Sequence, residues 1–533
     1  MTARGLRAGT VGGSDGPTVR DAVFALLRAH GLTTIFGNPG STELPMFADM
    51  PGDFRYVLGL QESVVVAMAD GFAQASGVAA LVNLHSSAGV GHALGSLFTA
   101  CRNNSPLVIT AGQQARSILP YEPFLYAERA TEFPRPFVKW SCEPARAEDV
   151  PLAIARAYHI AMQAPCGPTF VSVPVDDWDR PCAAVAPRRV SRSTMPDPAL
   201  IDEAAAMLAK ARNPVIVAGA GVAASDARAV LRDLAQRHAA PVWAAPMAAR
   251  NVFAEDHPLF AGFLVAAREA IVESLAGHDL ILVVGAPVFT FHVEGSGPLL
   301  PDGAALVQLV DDPIVASRTP LGLAITGNVE AGLRQLLTAM PVSPRAVSAP
   351  RAIPSPPPAD RLTDALLMAR LDALRPRGLA IVEEAPSTRG PLHDLFPIRD
   401  GDEFHTCASG GLGHGLPASI GVALARPDRT TLCLLGDGSA MYAIQGLWSA
   451  AEVSADVRFV VVNNGGYAAL DQFAALFGIA AMGSKVAGLD FVGLAAAQGV
   501  PGERVADPGA LDSAIERLFD GPGPRLLEVI VSG

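Results

Sequence analysis

The chain has 533 residues, half of them hydrophobic and 17% charged, so it is too long for one ordinary core and too apolar for a disordered chain. A formal net charge of −12 excludes the basic face of a nucleic-acid binder, while leaving room for small anions held by local donors. Six scattered cysteines without a CxxC pair argue against a zinc site or a dithiol redox motif.

Residues 1–16 are glycine-rich and polar, lack the apolar stretch of a signal peptide and are expected to be flexible. No run of about 18 apolar residues, the length a membrane span needs, occurs anywhere, so a soluble, cytoplasmic protein is expected. TVRDAVFALLRAHG then places Val19, Val23, Leu26 and Leu27 at helical spacing, and TTIFGNPG reads as a strand entering a Gly/Pro turn. A strand-like run over 56–60 leads to Glu62 and an apolar helical segment, and AALVNLHSSAG, PLVITAG and TFVSVP are further strand-then-turn units. NPVIVAGAG, APVWAAP, DLILVVGAP and ALVQLVDDP repeat the pattern in the middle third, as do TLCLLGDG, VRFVVVNNGG and RLLEVIV in the last.

Two proline-rich stretches, 181–198 and 341–358, interrupt the periodicity as connectors and predict domains over 17–185, 195–342 and 360–533. Continuous β-branched runs alternating with helices predict an α/β protein of three doubly wound domains with mostly parallel sheets. Ligands of such sheets bind beyond the carboxyl ends of the strands. Asn38 to Ser41, His85, Gln113, Asp437 and Asn464 all follow strand-like runs.

The strongest local signal is an apolar strand ending in Gly436-Asp437-Gly438, a helical stretch, and a second apolar strand ending in Asn463-Asn464-Gly465-Gly466. Glycines let a backbone approach phosphates, and amides at a helix start donate to them. Asp437 offers an anionic oxygen, Asn464 a neutral one and the peptide near Gly466 a third, a set of hard donors suited to Mg²⁺. A lone GDG is common turn chemistry; two such strand ends together resemble the metal–diphosphate motif of thiamin-diphosphate enzymes.

That resemblance implies an activating glutamate just after a strand of the amino-terminal domain, and Glu62 stands there among Val64, Val65, Val66 and Met68. GNPGSTELP (37–45), LQES (60–63), NLHSSAG (83–89), TAGQQAR (110–116), PRPFVKWS (134–141) and SVPVDDW (172–178) narrow it to the benzoylformate decarboxylase family. The resemblance implies nonoxidative decarboxylation of an aromatic or bulky 2-oxo acid with thiamin diphosphate and Mg²⁺, or another divalent cation such as Ca²⁺. Ser41 would bind the substrate carboxylate, His85 would serve the developing alkoxide, and His292 would return a proton after carbon dioxide leaves. Asn38, Pro39, Gly40, Ser387, Gly410, Gly411, Gly436, Gly438, Ser439, Asn464, Gly466 and Tyr467 would surround the cofactor, with Leu412 as its apolar wedge. A homo-oligomer, a dimer of dimers, would place the cofactor between subunits.

The substrate pocket departs from the family. Thr406 replaces an aromatic residue, Phe124-Leu125 is bulkier at its first position, and Ala469-Leu470-Asp471-Gln472-Phe473 carries Asp and Gln where Arg and Trp stand in the family. The decarboxylation apparatus is thus expected with a shifted acyl preference. Two alternatives remain at this level: a carboligase, 2-hydroxyacyl lyase or acetolactate-synthase-like enzyme, and a noncatalytic cofactor-binding relative. GAGVAAS (219–225) suggests dinucleotide binding but lacks the third spaced glycine, and a strand-to-helix turn is the favoured reading.

Overall fold

A computed structural model describes residues 16–339, 345, 349–486 and 488–532; the expected flexible 1–16 segment falls almost wholly outside them. The described chain forms three parallel six-stranded sheets, one in each third of the sequence.

The first sheet has the order β2-β1-β3-β4-β6-β5, from β1 (Thr34–Gly37), β2 (Arg55–Leu58), β3 (Ala80–Leu84), β4 (Leu107–Gln113), β5 (Trp140–Cys142) and β6 (Thr169–Pro174). The second, β12-β11-β10-β7-β8-β9, is built from β7 (Pro214–Ala218), β8 (Val242–Ala244), β9 (Phe260–Phe263), β10 (Leu280–Val284), β11 (Ala305–Val310) and β12 (Leu323–Thr326). The third, β14-β13-β15-β16-β18-β17, uses β13 (Ala380–Glu384), β14 (Glu403–Thr406), β15 (Thr431–Gly436), β16 (Val457–Asn463), β17 (Gly502–Val505) and β18 (Arg525–Ile530). Central strands such as β3, β10 and β13 are buried at every position, because helices cover both faces; this is why they read as unbroken apolar runs.

The strand before Glu62 ends at Leu58, two residues earlier than the apolar run suggests. Gln61 explains it: its side-chain oxygen accepts from the Ser63 and Val64 amides, so the chain has already left the sheet to cap the Glu62–Ser76 helix. That helix packs against the Gly415–Ala425 helix so closely that a Cβ on Gly71 would lie 2.0 Å from the Ala418 carbonyl oxygen. One on Gly421 would lie 1.8 Å from that of Met68. Advancing three residues on one helix moves back three on the other, so the pair is antiparallel. Glu62 therefore stands level with the far end of its partner, roughly 18 Å along the axis from the loop that precedes Gly415.

The GAGVAAS glycines are packing requirements. A Cβ on Gly219 would sit 2.5 Å from the Ala286 Cβ, and one on Gly221 would sit 2.7 Å from the Gly285 Cα.

Candidate active site

The carboxyl ends of the third sheet enclose a cavity of about 410 Å³. Ser387, Gly410, Leu412, Gly436, Asp437, Gly438, Ser439, Gly466, Tyr467, Ala469, Leu470 and Phe473, all marked from the sequence, line it together. Asp437 opens a short helix directly after β15 and is 2% exposed. Its Oδ1 accepts the Gly438 amide at 2.7 Å, while Oδ2 is buried with no hydrogen-bond partner among the described residues. Burial raises the pKa of this carboxyl above the ordinary range, against the pull of the Gly438 amide. An orphaned carboxylate oxygen is costly unless a cation or donor meets it, so this residue fits a metal ligand.

Asn464, just past β16, donates from Nδ2 to Ser387 Oγ at 3.4 Å and accepts the Gly466 amide at 3.2 Å. Gly466 has a φ of +156° and touches Ser484, whose carbonyl oxygen a Cβ would meet at 2.0 Å. A Cβ on Gly438 would lie 2.2 Å from the Tyr467 ring. These glycines keep the cavity floor thin.

Leu412 lies in a loop fixed from below by Glu384, a buried residue that the sequence did not single out. Its carboxylate accepts the amides of Gly413 at 2.6 Å, His414 at 2.7 Å and Gly415. Burial pushes its pKa up to about 7 against those three donors. His292, from the central third, packs on a residue of the cavity wall: its ring centroid lies 4.6 Å from that of Phe473.

A second cluster gathers at the carboxyl ends of the first sheet. Glu62 begins its helix at 8% exposure, accepts from Asn38 Nδ2 at 3.3 Å and meets His92 Nδ1 at 3.1 Å. His85 precedes the Ser86–Arg102 helix, and its ring lies so close to Gly40 that a Cβ there would fall 2.1 Å from Nδ1. Ser41 follows on the exposed lip of that turn, after Pro39.

What organises the cluster is Glu43, at 2% exposure. Its Oε2 meets His85 Nδ1 at 2.8 Å and accepts the Gly40 amide at 2.8 Å. Its Oε1 accepts the Gly112 amide at 2.8 Å and the Thr42 hydroxyl at 2.6 Å. With a carboxylate on Nδ1, that nitrogen carries the proton and Nε2 is left for a ligand. Sequence reasoning missed Glu43, although a Glu three residues after Gly40 has the spacing for a carboxylate that folds back onto a turn amide.

Of the six residues expected to form the substrate pocket, three lie outside the cavity of the third sheet. Phe124 is 87% exposed, and Leu125 is tied to the second cluster through its carbonyl, which accepts from Ser86 Oγ at 2.9 Å. Thr406 is buried at the end of β14. Its hydroxyl is bound to Glu383 Oε2 at 2.8 Å and to Arg389 at 2.7 Å, so a buried ion pair, rather than a ligand pocket, takes up its polarity.

Known proteins resemble this chain along most of its length. Three family descriptions match along the chain: thiamine pyrophosphate enzyme N-terminal TPP binding domain over residues 17–129, central domain over 201–336 and C-terminal TPP binding domain over 388–529. Benzoylformate decarboxylase of Pseudomonas aeruginosa is 44% identical over 521 residues, covering 96% of this chain and 98% of the relative. The chain belongs to the benzoylformate decarboxylase family of thiamine pyrophosphate enzymes. The crystal structure of benzoylformate decarboxylase from Polynucleobacter necessarius superposes with a TM-score of 0.95 at 39% identity, over 97% of this chain and 98% of that one. The thiamine diphosphate-dependent 4-hydroxybenzoylformate decarboxylase of Rhodococcus jostii RHA1 gives 0.93 at 41% identity, over 97% and 99%. Acetolactate synthase isozyme 1 large subunit of Escherichia coli is a more distant relative, at 26% identity over 96% of this chain and 93% of the relative. The first and the last thirds, which carry the two clusters, are thus the ones that match TPP binding domains.

Proposed function

We propose that the chain decarboxylates an aromatic 2-oxo acid of the benzoylformate type to the aldehyde and carbon dioxide. The observation that carries this reading is the His85–Glu43–Gly40 arrangement, which fixes a histidine nitrogen and the Ser41 turn beside the Glu62 cluster. Relatives acting on benzoylformate and on 4-hydroxybenzoylformate support an aromatic acyl group.

Thiamin diphosphate, when bound, supplies the carbon nucleophile and the electron sink that decarboxylation requires. Asp437 Oδ2, Asn464 and the main-chain oxygen of Gly466 would hold Mg²⁺, or Ca²⁺ in its place, and Gly436, Gly438 and Ser439 line the cavity that would take the diphosphate. Leu412 supports the cofactor from the Glu384-braced loop, and Gly410 and Gly411 leave space beside it. Glu62 exchanges a proton with the aminopyrimidine. Ser41 Oγ binds the substrate carboxylate, His85 Nε2 faces the carbonyl oxygen and exchanges a proton with it, and His292 returns a proton to carbon. Ala469, Leu470 and Phe473 contact the acyl group, with Phe124 and Leu125 closing over it.

The working unit is a homo-oligomer, at least a dimer and by family resemblance a dimer of dimers. The antiparallel helix pair supports this, because it sets Glu62 and the Leu412 loop of one chain at opposite ends, and a second chain brings such ends together. Exposed apolar side chains by the two clusters, Leu44 at 61% and Phe124 at 87% by one, Leu476 at 72% and Phe477 at 74% by the other, support a covered surface. Six unpaired cysteines accord with a cytoplasmic location, and no helix among the described residues is long and apolar enough to cross a membrane. The test is Glu62→Gln: bound cofactor should persist while decarboxylation falls by about 10²–10⁴-fold, and full activity would overturn the assignment.

A further inference from the structure

A polar cavity of about 290 Å³ lies where the three thirds of the chain meet, away from both clusters described above. Its walls come from the end of the Glu62–Ser76 helix, from the loops after β7 and β8, and from β14. Two arginines line it, Arg228 and Arg250, and the side chain of neither makes a hydrogen bond or ion pair among the described residues. Arg250 and His405 face each other across an antiparallel bridge, which sends their side chains to the same face. The His405 ring also lines the cavity, is 7% exposed and has no hydrogen bond at either nitrogen among the described residues.

The nearby acids do not neutralise the arginines. Glu403 is engaged by Arg426 and, at 3.5 Å, by Arg429, and its second oxygen stands 3.7 Å from His405 Nε2, beyond hydrogen-bond range. Asp226 is exposed at the mouth. Asp70, the acid whose field reaches Arg250, holds His414, Asn103 and Gln74 on its Oδ2 and makes no ion pair with either arginine among the described residues. Asn251 adds a free amide nitrogen, since its Oδ1 is taken by the Phe253 amide.

We propose that this cavity binds a phosphate group, either inorganic phosphate or the phosphate of a small metabolite. Two guanidinium groups without ion-pair partners among the described residues line the cavity and match a doubly charged oxyanion in charge. Burial pulls the Arg250 guanidinium below its ordinary range, a cost that a bound anion relieves. The volume is close to the lower end for small-molecule sites, about 300 Å³, which suits a phosphate with a short carbon body. Arginine side chains do the recognising, since the glycines of GAGVAAS serve packing. A phosphate held there ties all three thirds together, including the helix that begins at Glu62.

The test uses the full-length holoenzyme saturated with thiamin diphosphate and Mg²⁺, so that the cofactor site takes up no added phosphate. Its thermal midpoint is followed against inorganic phosphate and glycerol 3-phosphate, with chloride at equal ionic strength as the reference. A saturable rise of about 2–5 °C is expected, with the apparent affinity at least tenfold weaker in Arg228→Ala and in Arg250→Gln. Tighter binding of glycerol 3-phosphate assigns the site to a metabolite, and equal binding assigns it to free phosphate. Arg228 is half-buried at the first position of the Arg228–His238 helix, so its variant decides the matter even if the Arg250 variant does not fold. No saturable rise in the wild type, or the same rise in Arg228→Ala, overturns the proposal.

Discussion

Replacing Glu43 by Gln removes one charge and one acceptor from the cluster around His85. The carboxylate meets four groups: the amides of Gly40 and Gly112, each at 2.8 Å, the Thr42 hydroxyl at 2.6 Å and His85 Nδ1 at 2.8 Å. A glutamine has one acceptor oxygen. If its NH₂ faces Gly112, two donors confront each other; if it faces His85, the imidazole proton must move to Nε2 and the ligand-facing nitrogen changes role. Either choice forfeits one charge-assisted hydrogen bond, worth about 1.5–3 kcal/mol. Lost from the decarboxylation barrier, that is roughly a tenfold to hundredfold fall in kcat. The assay is steady-state turnover of benzoylformate at saturating cofactor, with the thermal midpoint and cofactor affinity measured in parallel. The loss should fall on kcat, with cofactor affinity close to wild type. A Glu43→Gln enzyme with wild-type kcat would refute the reasoning.

Further outcomes follow from the same geometry. Mixing inactive Glu62→Gln protein with inactive Asp437→Ala protein should restore up to about a quarter of wild-type activity, because random dimers of two such chains carry one intact site in half of cases; no recovery under subunit exchange would contradict a shared site. His238, pushed down to about 4 by burial and by Arg345, and His405, pushed down to about 3 by burial and by Arg250, are both neutral in the fold. Above the ordinary histidine pKa neither affects stability. As pH falls below about 6.5 the unfolded chain takes up these protons first, so stability drops toward pH 4 by up to about 1.4 kcal/mol per pH unit for each histidine. Urea midpoints at pH 7.5 and 5 should show the drop, and His238→Asn, which keeps an acceptor for Arg345, should lessen it; an unchanged slope would count against the burial argument.

Much of this was legible in the sequence because it is local. A strand ending in Gly436-Asp437-Gly438 and another ending at Asn463 are written in contiguous residues, and the fully buried strands of parallel sheets announce themselves as apolar runs. Glu43 was not legible, because its partners His85 and Gly112 lie 42 and 69 residues away and only the sheet order brings β1, β3 and β4 side by side. His292 was named by resemblance, and its place beside Phe473 comes from docking one third of the chain on another. Thr406 was also named by resemblance, and what the contiguous residues do not reveal is that Glu383 and Arg389 bind its hydroxyl. The separation of Glu62 from the Leu412 loop depends on two close glycine contacts, at Gly71 and Gly421, that no periodicity reveals.

The most direct test of the account is product analysis of purified protein supplied with thiamin diphosphate, Mg²⁺ and benzoylformate. One carbon dioxide and one benzaldehyde released per 2-oxo acid consumed, with activity lost on cofactor removal and restored on its return, is the predicted result. Bound cofactor with no carbon dioxide from benzoylformate or other aromatic 2-oxo acids would contradict it.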